Sequence, residues 1–363
     1  MPDHVKWMKV AIALAKRGLG SVSPNPSVGC LIVKGNCLVG RGWTQPGGRP
    51  HAETGALEMA GEAAKGATAY VTLEPCSHTG ETPPCAKALV AAGLKQVVIA
   101  VQDPDPRVSG RGVAALREAG IKTTVGVLED EARQLNAGFF LKTLASRPLF
   151  TLKTAATLDG KIATVSGESK WITSKKARDY GHLVRAQHDA ILVGINTVIA
   201  DNPTLTCRIE GLENRSPAAV VLDSKLRTPV DCELVKKAGE RPFFIICNKS
   251  EASGDAADKL SAAGAQLITV PDTRDPRIVG KQLVKQGFTR VLVEGGGQVL
   301  ASFVTARLCD RLLAFTSGKI IGADGLANIG PLALAELGDA PHLTLESYRR
   351  LGPDLLASYV NAE

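Results

Sequence analysis

Residues 51–85 read HAETGALEMAGEAAKGATAYVTLEPCSHTGETPPC and combine a His-x-Glu pair, an apolar strand pattern and two cysteines. The imidazole of His51 and the thiolates of Cys76 and Cys85 can supply three ligands to a zinc ion. A fourth position would remain open for water, as a catalytic zinc site requires. Glu53 follows the histidine closely, so a helix that begins there would place its carboxylate beside the metal without making it a ligand. This part of the chain therefore predicts a catalytic zinc centre.

Each of these residues has an ordinary structural explanation when it is taken alone. A lone histidine is usually structural or solvated, and a buried cysteine usually behaves as a small hydrophobic residue. Their combination, with Glu-Pro-Cys after an apolar strand, favours catalytic zinc over structural zinc or no metal. Zinc deaminases of nucleobases use the same set, in which the glutamate is the general acid and base. The loop between the two cysteines is longer here than the Cys-x-x-Cys of that pattern.

The composition limits the class of protein. A length of 363 residues suggests two or three domains, and an apolar content of 44% is sufficient for ordinary cores. The net charge of +7 suits a phosphorylated small molecule or a dinucleotide as the partner. Aromatic residues make up only 4% of the chain, and the basic residues do not form runs. Nucleic acid is therefore disfavoured as a partner, because single strands are bound by aromatic residues interleaved with basic ones.

The cysteines and the hydropathy pattern predict the cellular location of the protein. Six of the eight cysteines lie outside the predicted zinc site and show no paired spacing, which is typical of reduced thiols. MPDHVKWMKV leads directly into an amphipathic helix, and no apolar run approaches the roughly 18 residues that span a bilayer. We therefore expect a cytoplasmic protein that does not enter membranes. The six cysteines are Cys30, Cys37, Cys207, Cys232, Cys247 and Cys309.

The first part of the chain alternates helical and strand patterns, which predicts a layered α/β sheet with its site at strand ends and helix starts. The turn at 34–36 predicts a hairpin. Both His51 and Glu53 are expected in the first turn of their helix. The predicted helices cover 5–18, 51–64, 85–93, 112–120 and 129–146, and the predicted strands 28–33, 37–43, 67–76, 95–104 and 121–128.

Arg147-Pro148 breaks the last of these helices, and we place a domain boundary there. A second α/β domain follows, in which residues 194–208, after a strand, are expected to be a polar loop beside a pocket, or simply a solvated loop. The predicted strands cover 149–163, 190–194, 218–224, 242–247, 265–270, 290–297 and 311–321, and the predicted helices 174–188, 278–287 and 298–308.

Three features of the second domain have open alternatives. The three glycines that end VLVEGGG can cradle a phosphate at the start of a helix, or they can form an ordinary turn. Trp171 has polar neighbours on both sides, so it is either a core residue or the wall of a ligand site. Asp201, before Asn-Pro, is either a pocket residue or a turn former.

Along nearly its whole length the chain carries the motifs SPNPSVGCLIV, PHAE, TLEPCSHTGETPPC, LDGKIA, SGESKWITS, ADNPTLTCR and VEGGG. These motifs resemble those of the bifunctional riboflavin-biosynthesis deaminase/reductase family. The resemblance implies an N-terminal cytidine-deaminase-like layered α/β domain, residues 1–146, and a C-terminal dihydrofolate-reductase-like α/β domain, residues 147–363. It further implies one zinc ion, NADPH, a phosphorylated pyrimidine substrate, and a homo-oligomer that is a dimer or a tetramer. The alternative is a nucleic-acid base deaminase with an appended binding domain.

The resemblance also implies roles for individual residues. Glu53 would take a proton from water and deliver it to the ring nitrogen and the leaving ammonia, while Asn25 would hold the edge of the ring. Asp201 and Glu294 are candidates for the general acid of the reduction. The implied substrate contacts of the reductase are Lys153, Ser169, Arg185, Leu205, Arg208 and Glu294, and the implied cofactor contacts are Ala155, Trp171, Thr173, Thr197, Asp201, Gly295 and Gly296.

The chain departs from the family pattern at two positions. Glu81 stands where the family usually has a basic residue, and Asp105 where it usually has Asn. Both changes add negative charge near the expected sugar phosphate, which predicts weaker substrate binding by the deaminase. On this reasoning, Glu81→Lys should lower the KM of the deamination.

Overall fold

The computed structural model describes residues 3–77, 83–106 and 108–361. The chain divides into two compact units, Met1–Ser146 and Arg147–Glu363. Each unit has its own sheet and its own apolar core. None of the helices in the described ranges is long and apolar enough to cross a membrane.

The first unit is a five-stranded sheet with helices packed against it, in the strand order β2-β1-β3-β4-β5. The first strand, β1, is antiparallel to β2 and β3, whereas β3, β4 and β5 run parallel. The elements are α1 His4–Ala15, β1 Gly29–Lys34, β2 Cys37–Trp43, α2 Ala52–Ala60, β3 Thr68–Val71, α3 Cys85–Ala91, β4 Gln96–Ile99, α4 Arg111–Glu118, β5 Lys122–Val125, α5 Glu129–Leu135 and α6 Ala137–Ala145.

The predicted hairpin and the layered α/β class are confirmed in this unit, but several predicted boundaries are wrong, and the strands predicted over 67–76, 95–104 and 121–128 are all shorter. His51 is the extended N-cap of α2 and not part of its first turn. The helix predicted over 129–146 is two helices, since Asn136 interrupts it and pairs with the backbone of Ser27 in both directions.

Two glycines of β2 allow α2 to lie directly on the strand. A Cβ atom on Gly42 would lie 2.1 Å from the carbonyl oxygen of Ala52, and one on Gly40 would lie 2.2 Å from that of Ala56. Real Cβ atoms do not approach so closely, so the helix can occupy this position only over glycine. The contact fixes the first turn of α2, which carries Glu53.

The second unit is a nine-stranded sheet in the order β11-β10-β9-β8-β12-β6-β13-β16-β15, with a separate β7-β14 pair. The seven strands from β11 across the sheet to β13 run parallel to one another. At the other edge, β16 is antiparallel to β13, and β15 is antiparallel to β16. The elements are β6 Leu149–Ala156, β7 Lys161–Ala163, α7 Lys175–Ala186, β8 Ala190–Gly194, α8 Ile195–Asp201, β9 Ala218–Leu222, α9 Glu233–Lys236, β10 Phe243–Asn248, α10 Asp255–Ala262, β11 Gln266–Val270, α11 Pro276–Lys285, β12 Arg290–Val293, α12 Gly297–Thr305, β13 Arg311–Thr316, β14 Leu326–Ala327, β15 Thr344–Leu351 and β16 Asp354–Val360.

Strand β8 shows how this sheet separates two apolar layers. All of its residues are buried, as expected for a parallel strand covered on both faces. Ile191 and Val193 belong to one core cluster, while Ala190 and Leu192 belong to the other. The parallel strands all end at one edge of the sheet, which is where ligands bind in folds of this kind.

Several predictions for this unit are wrong in detail, and the strands predicted over 290–297 and 311–321 are shorter than expected. Residues 149–163 form two strands and not one, because Gly160 (φ +75°) makes a turn between them. Residues 194–208 are not a continuous loop, since the short helix α8 occupies their first half. Ile195 and Val198 bury one face of this helix at i, i+3 spacing, a signal that the polar residues around them masked.

Candidate active sites in the two units

The three predicted zinc ligands of the first unit converge on one point. Their donor atoms all lie within 4.8 Å of one another. The Nδ1 atom of His51 is 3.3 Å from the Sγ atom of Cys85 and 3.8 Å from that of Cys76. His51 caps α2, Cys76 lies in the loop after β3, and Cys85 is the first residue of α3.

This donor set fits a tetrahedral zinc ion. Ideal Zn–N and Zn–S bonds at the tetrahedral angle separate nitrogen and sulfur by about 3.5 Å, and the two His-to-Cys distances lie on either side of that value. The backbone N–H of Cys85 donates to the Sγ atom of Cys76 at 3.3 Å. Three protein ligands of nitrogen and sulfur leave a fourth direction open, as in catalytic zinc sites.

The electrostatics of the cluster favour a thiolate. Hydrogen bonds from the Cys85 thiol and from His51 lower the pKa of Cys76 to about 4. A hydrogen bond with Cys76 raises the pKa of His51 in return. The thiolate is the form of cysteine that binds metal, so Cys76 is prepared for that role.

Glu53 is buried beside this cluster, with only 4% of its surface exposed. Burial raises the pKa of its carboxyl group to about 7, and the negative charge of Cys76 acts in the same direction. A carboxyl group with a pKa near neutrality can both accept and donate a proton, which is what a general acid and base must do.

Asn25 lies against the segment that leads to His51. A Cβ atom on Gly48 would be 1.9 Å from the Nδ2 atom of Asn25, and Gly48 has φ +86°. Glycine at this position therefore allows the loop before α2 to pack on the asparagine. Asn25 belongs to the loop at residues 23–27, which is fixed to the core through Ser27 and Asn136.

Glu74 is a residue of this site that the sequence analysis missed. Its buried carboxylate accepts hydrogen bonds from four backbone N–H groups, those of Asp103, Gly110, Gly112 and Val113, at 2.8–3.2 Å. It thereby fixes the loop before α4, which carries Asp105. The only signal in the sequence was its place in Glu-Pro-Cys, next to a ligand. Glu81 lies outside the described residues.

In the second unit, most predicted reductase residues line one cavity of about 470 Å³. Lys153 and Ala155 reach it because they alternate along β6 and share a face of the sheet. Thr197, Gly295 and Gly296 are not among the residues that line it. The predicted residues that do line it are Lys153, Ala155, Ser169, Trp171, Thr173, Arg185, Asp201, Leu205, Arg208 and Glu294.

Glu294, directly after β12, is the centre of charge in this cavity. Arg185 donates to both of its carboxylate oxygens at 2.8 Å, and the Nζ atom of Lys153 is 3.6 Å away. Burial alone would raise the pKa of Glu294, but the positive charges of Arg185 and Lys153 lower it to about 2. The carboxylate is therefore ionised at neutral pH.

Trp171 forms an exposed wall of the cavity, which excludes the core alternative. Its side chain is 58% exposed, and the guanidinium of Arg178 lies 4.2 Å from its ring centroid. Lys319 donates from Nζ to the carbonyl oxygen of Trp171 at 2.6 Å. Arg178 thus stacks on the indole ring, while Lys319 fixes the backbone of the same residue.

The three glycines form a tight turn at the carboxyl edge of the sheet. A Cβ atom on Gly295 would lie 2.6 Å from the Cα atom of Val193, and Gly296 has φ +43°. The Oγ1 atom of Thr197 is 3.8 Å from where a Cβ atom of Gly296 would be. Thr197 and the turn therefore lie side by side, at the starts of α8 and α12. Bare backbone at two helix starts fits the phosphates of a dinucleotide.

His182 is a second residue that the sequence analysis missed, and it lines the same cavity. Its Nδ1–H donates to the carbonyl oxygen of Thr206 at 3.0 Å. Burial, together with the charges of Arg185 and Arg208, lowers the pKa of the imidazole, which favours its neutral form. Asp201 is the last residue of α8, and not part of a loop as predicted.

Comparisons with known proteins match both units. Residues 148–357 match the family described as RibD C-terminal domain, and residues 1–101 match the cytidine and deoxycytidylate deaminase zinc-binding region. The chain is 43% identical over 350 residues to the riboflavin biosynthesis protein RibD of Aquifex aeolicus (strain VF5), covering 96% of each chain. It is 41% identical over 371 residues to RibD of Escherichia coli (strain K12), covering 98% of this chain and 99% of the relative.

Solved structures agree with this similarity over the whole length. Form 1 of Acinetobacter baumannii RibD superposes with a TM-score of 0.90 at 36% identity, covering 99% of both chains. A diaminohydroxyphosphoribosylaminopyrimidine deaminase/5-amino-6-(5-phosphoribosylamino)uracil reductase from Thermotoga maritima superposes with a TM-score of 0.87 at 35% identity, again covering 99% of both chains.

Proposed function

Because the chain belongs to the RibD family, it is a bifunctional deaminase and reductase of riboflavin biosynthesis, and we propose how its residues divide the two reactions. The first reaction removes ammonia from the pyrimidine ring of 2,5-diamino-6-ribosylamino-4(3H)-pyrimidinone 5′-phosphate. The second reduces the ribosyl side chain to ribityl with NADPH. We assign the deaminase to residues 1–146 and the reductase to residues 147–363.

The observation that carries the deaminase assignment is the convergence of His51, Cys76 and Cys85 beside the buried Glu53. These three ligands would hold zinc, which supplies a Lewis acid that makes water nucleophilic near neutral pH. Glu53 removes a proton from the attacking water and delivers it to the ring nitrogen. It then takes the remaining proton of the added hydroxyl and delivers it to the amino group, which leaves as ammonia while the ring carbonyl forms. Its pKa of about 7 suits both transfers.

Asn25 orients the pyrimidine in this site. A side-chain amide presents both a donor and an acceptor, which is the pattern on the edge of a pyrimidinone ring. Its contact with Gly48, close to His51 in the chain, supports this role. Asp105, by contrast, brings negative charge to the loop that Glu74 fixes, and we expect it to weaken binding of the sugar phosphate.

In the reductase, we assign the substrate phosphate to Arg208. Lys153 and Arg185 both face Glu294, which offsets one of their two positive charges, whereas Arg208 forms no ion pair among the described residues and is exposed in the cavity. A guanidinium with unused donors matches a phosphate group in charge and geometry. Lys153, Arg185 and Glu294 then bind the ribose hydroxyls, with Ser169 and the backbone of Leu205 completing the substrate contacts.

The cofactor residues lie beside the substrate cavity. The Gly295–Gly296 turn and Thr197 would receive the phosphates of NADPH, while Trp171 and Ala155 border the nicotinamide. Thr173 and Asp201 complete the cofactor contacts. NADPH supplies the hydride, and the protein orients it against the sugar carbon. We keep Asp201 and Glu294 as candidates for the general acid.

The oligomeric state is a further proposal. A homodimer or homotetramer is the state that the family resemblance implies, and light scattering of the purified protein tests it.

The cellular location is also a proposal. All eight cysteines are free, which supports a reducing compartment such as the cytoplasm. Cell fractionation tests that location.

A coupled assay tests the assignment of the two reactions to the two units. The zinc-loaded protein receives the diamino-pyrimidinone phosphate, and ammonia release and NADPH oxidation are followed together. We expect both in the wild type and neither in Glu53→Gln, and adding the deaminated substrate to the variant should restore NADPH oxidation alone. NADPH oxidation without ammonia release, from the first substrate, would contradict the assignment.

A further inference from the structure

Residues 203–208, which we name the pocket loop, carry two of the proposed substrate contacts, Leu205 and Arg208. Leu205 has φ +52°, a left-handed conformation that a branched residue rarely adopts. Asn202, just before the loop, has φ +42°. The loop belongs to no strand or helix, so its shape depends on what its carbonyl groups bind.

Three consecutive carbonyl oxygens of the pocket loop are bound by side chains. Arg241 donates through Nη2 to Thr204 and through Nη1 to Leu205, the latter at 3.1 Å. Arg185 and His182 both donate to Thr206, each at 3.0 Å. Arg185 and His182 line the cavity, whereas Arg241 is not among the residues that line it.

Arg241 is itself fixed to the sheet. It directly precedes Pro242, whose carbonyl oxygen accepts a hydrogen bond from Ala219 of β9 at 3.0 Å. Its Nη1 atom also donates to the carbonyl oxygen of Pro217 at 2.6 Å. Burial and the charge of Arg185 lower the pKa of Arg241 to about 10, which leaves it charged at neutral pH. The guanidinium therefore ties the loop to the residues that lead into β9 and β10, at the amino ends of those strands.

We propose that Arg241 is a positioning residue that holds the pocket loop in the shape that binds the reductase substrate. The inference rests on the proposed function of the cavity. Without the guanidinium, the loop would adopt other conformations, and the substrate would have to select the competent one. The apparent affinity falls by the fraction of molecules that remain competent.

The test compares Arg241→Met with the wild type, using 5-amino-6-(5-phosphoribosylamino)uracil and NADPH. Methionine keeps much of the apolar stem and removes every donor. We expect the KM for this substrate to rise about tenfold, as when about one molecule in ten remains competent. The kcat should stay within about twofold, and ammonia release in the same preparation should not change. Arg274→Met, at an exposed arginine of the same unit that lies outside the cavity, is the matched control and should leave both parameters unchanged.

Arg241→Lys separates positioning from simple attraction of the phosphate. Lysine keeps the charge, but it cannot present the planar fork that reaches the carbonyl groups of Thr204, Leu205 and Pro217 together. A positioning role predicts an intermediate KM. Complete restoration by lysine would show that only the charge matters, and would overturn the proposal.

Hydrogen exchange provides a readout that does not depend on catalysis. Peptides that cover the pocket loop should exchange faster in Arg241→Met than in the wild type, while peptides from β8 and β12 should not change. Unchanged exchange in the loop, or a loss of kcat at unchanged KM, would overturn the proposal. If the wild type fails to oxidise NADPH, the proposed function fails, and the exchange measurement still decides the role of Arg241.

Discussion

Glu53 is a buried carboxyl group whose pKa lies close to neutrality. Glu53→Gln keeps the shape of the side chain and removes its proton transfer. We expect ammonia release to fall by about 10²–10⁴-fold, the usual range for loss of a general acid or base. Zinc content should stay at one ion per chain, since the ligands are untouched. Metal analysis beside the ammonia assay checks both, and a variant that has lost its zinc would indicate a ligand role instead.

Glu294 should make the second unit sensitive to acid. Its pKa is lowered from 4.5 to about 2 in the folded protein, so its contribution to stability is complete above about pH 4.5. That contribution is lost as the pH falls through 4.5 towards 2, and by linkage it amounts to roughly 3 kcal/mol. Calorimetric unfolding between pH 7 and pH 3 measures the part of this loss that occurs above pH 3.

Two variants decide whether Glu294 is responsible for this acid sensitivity. Glu294→Gln should be less stable than the wild type at pH 7, and its stability should change less with pH. Glu233→Gln removes the carboxylate of an exposed pair with Lys236 and should leave the pH profile unchanged, because such surface pairs contribute little. Parallel profiles for the wild type and Glu294→Gln would assign the acid sensitivity to other carboxylates.

Sequence patterns predicted some site residues and missed others. The two groups differ in what their side chains bind. The predicted zinc ligands and Glu53 were recognisable because their chemistry depends on residue type and spacing. Glu74 and His182 bind backbone groups far along the chain, such as the N–H of Gly112 and the carbonyl of Thr206. Any residue type can offer those groups, so no sequence pattern predicts the contact.

At the scale of secondary-structure elements, the contact of α2 with β2 predicts that alanine has opposite effects on stability at Gly42 and Gly55. Gly42→Ala would place a Cβ atom 2.1 Å from the carbonyl oxygen of Ala52 and should lower the free energy of unfolding by about 1–3 kcal/mol. Because α2 carries Glu53 and follows His51, ammonia release should fall as well. Denaturant unfolding and the ammonia assay measure these effects.

Gly55→Ala is the matched control for that contact. Gly55 lies within α2, and its nearest neighbour to a new Cβ atom is the Cα atom of Gly42 at 3.8 Å, an ordinary contact. Alanine within a helix should raise stability by about 0.5–1 kcal/mol, with little change in ammonia release. Equal destabilisation by both substitutions would show that α2 does not lie on β2 as described.

Elements were predictable from sequence where hydrophobic periodicity was strong, as in β8, β12 and the β1–β2 hairpin. Periodicity failed where a side chain interrupts an element, as Asn136 does between α5 and α6. It also failed at the C-terminus, where β15 is exposed along most of its length and carries no apolar alternation. Such an edge strand forms because its backbone pairs with β16. Backbone pairing depends little on residue type, so it cannot be read from the sequence.

At the scale of the whole molecule, the two sites depend on different sheets, and this predicts how the activities respond to metal removal. Among the described residues, the His51–Cys76–Cys85 cluster is the one group suited to hold a metal, and it lies in the first unit. The cavity around Glu294 lies in the second. A chelator should therefore abolish ammonia release, while NADPH oxidation with the deaminated substrate should persist.

The experiment treats the intact protein with a chelator that is then removed by gel filtration, and both assays are run before and after zinc is restored. Recovery of ammonia release with zinc excludes irreversible unfolding as the cause of its loss. The second activity should stay within about twofold throughout, since hydride transfer needs only NADPH and the residues of the second unit. Loss of both activities, with both restored by zinc, would show that the reductase depends on the metal-bound state of the first unit. That result would show that the two active sites are coupled and do not act independently.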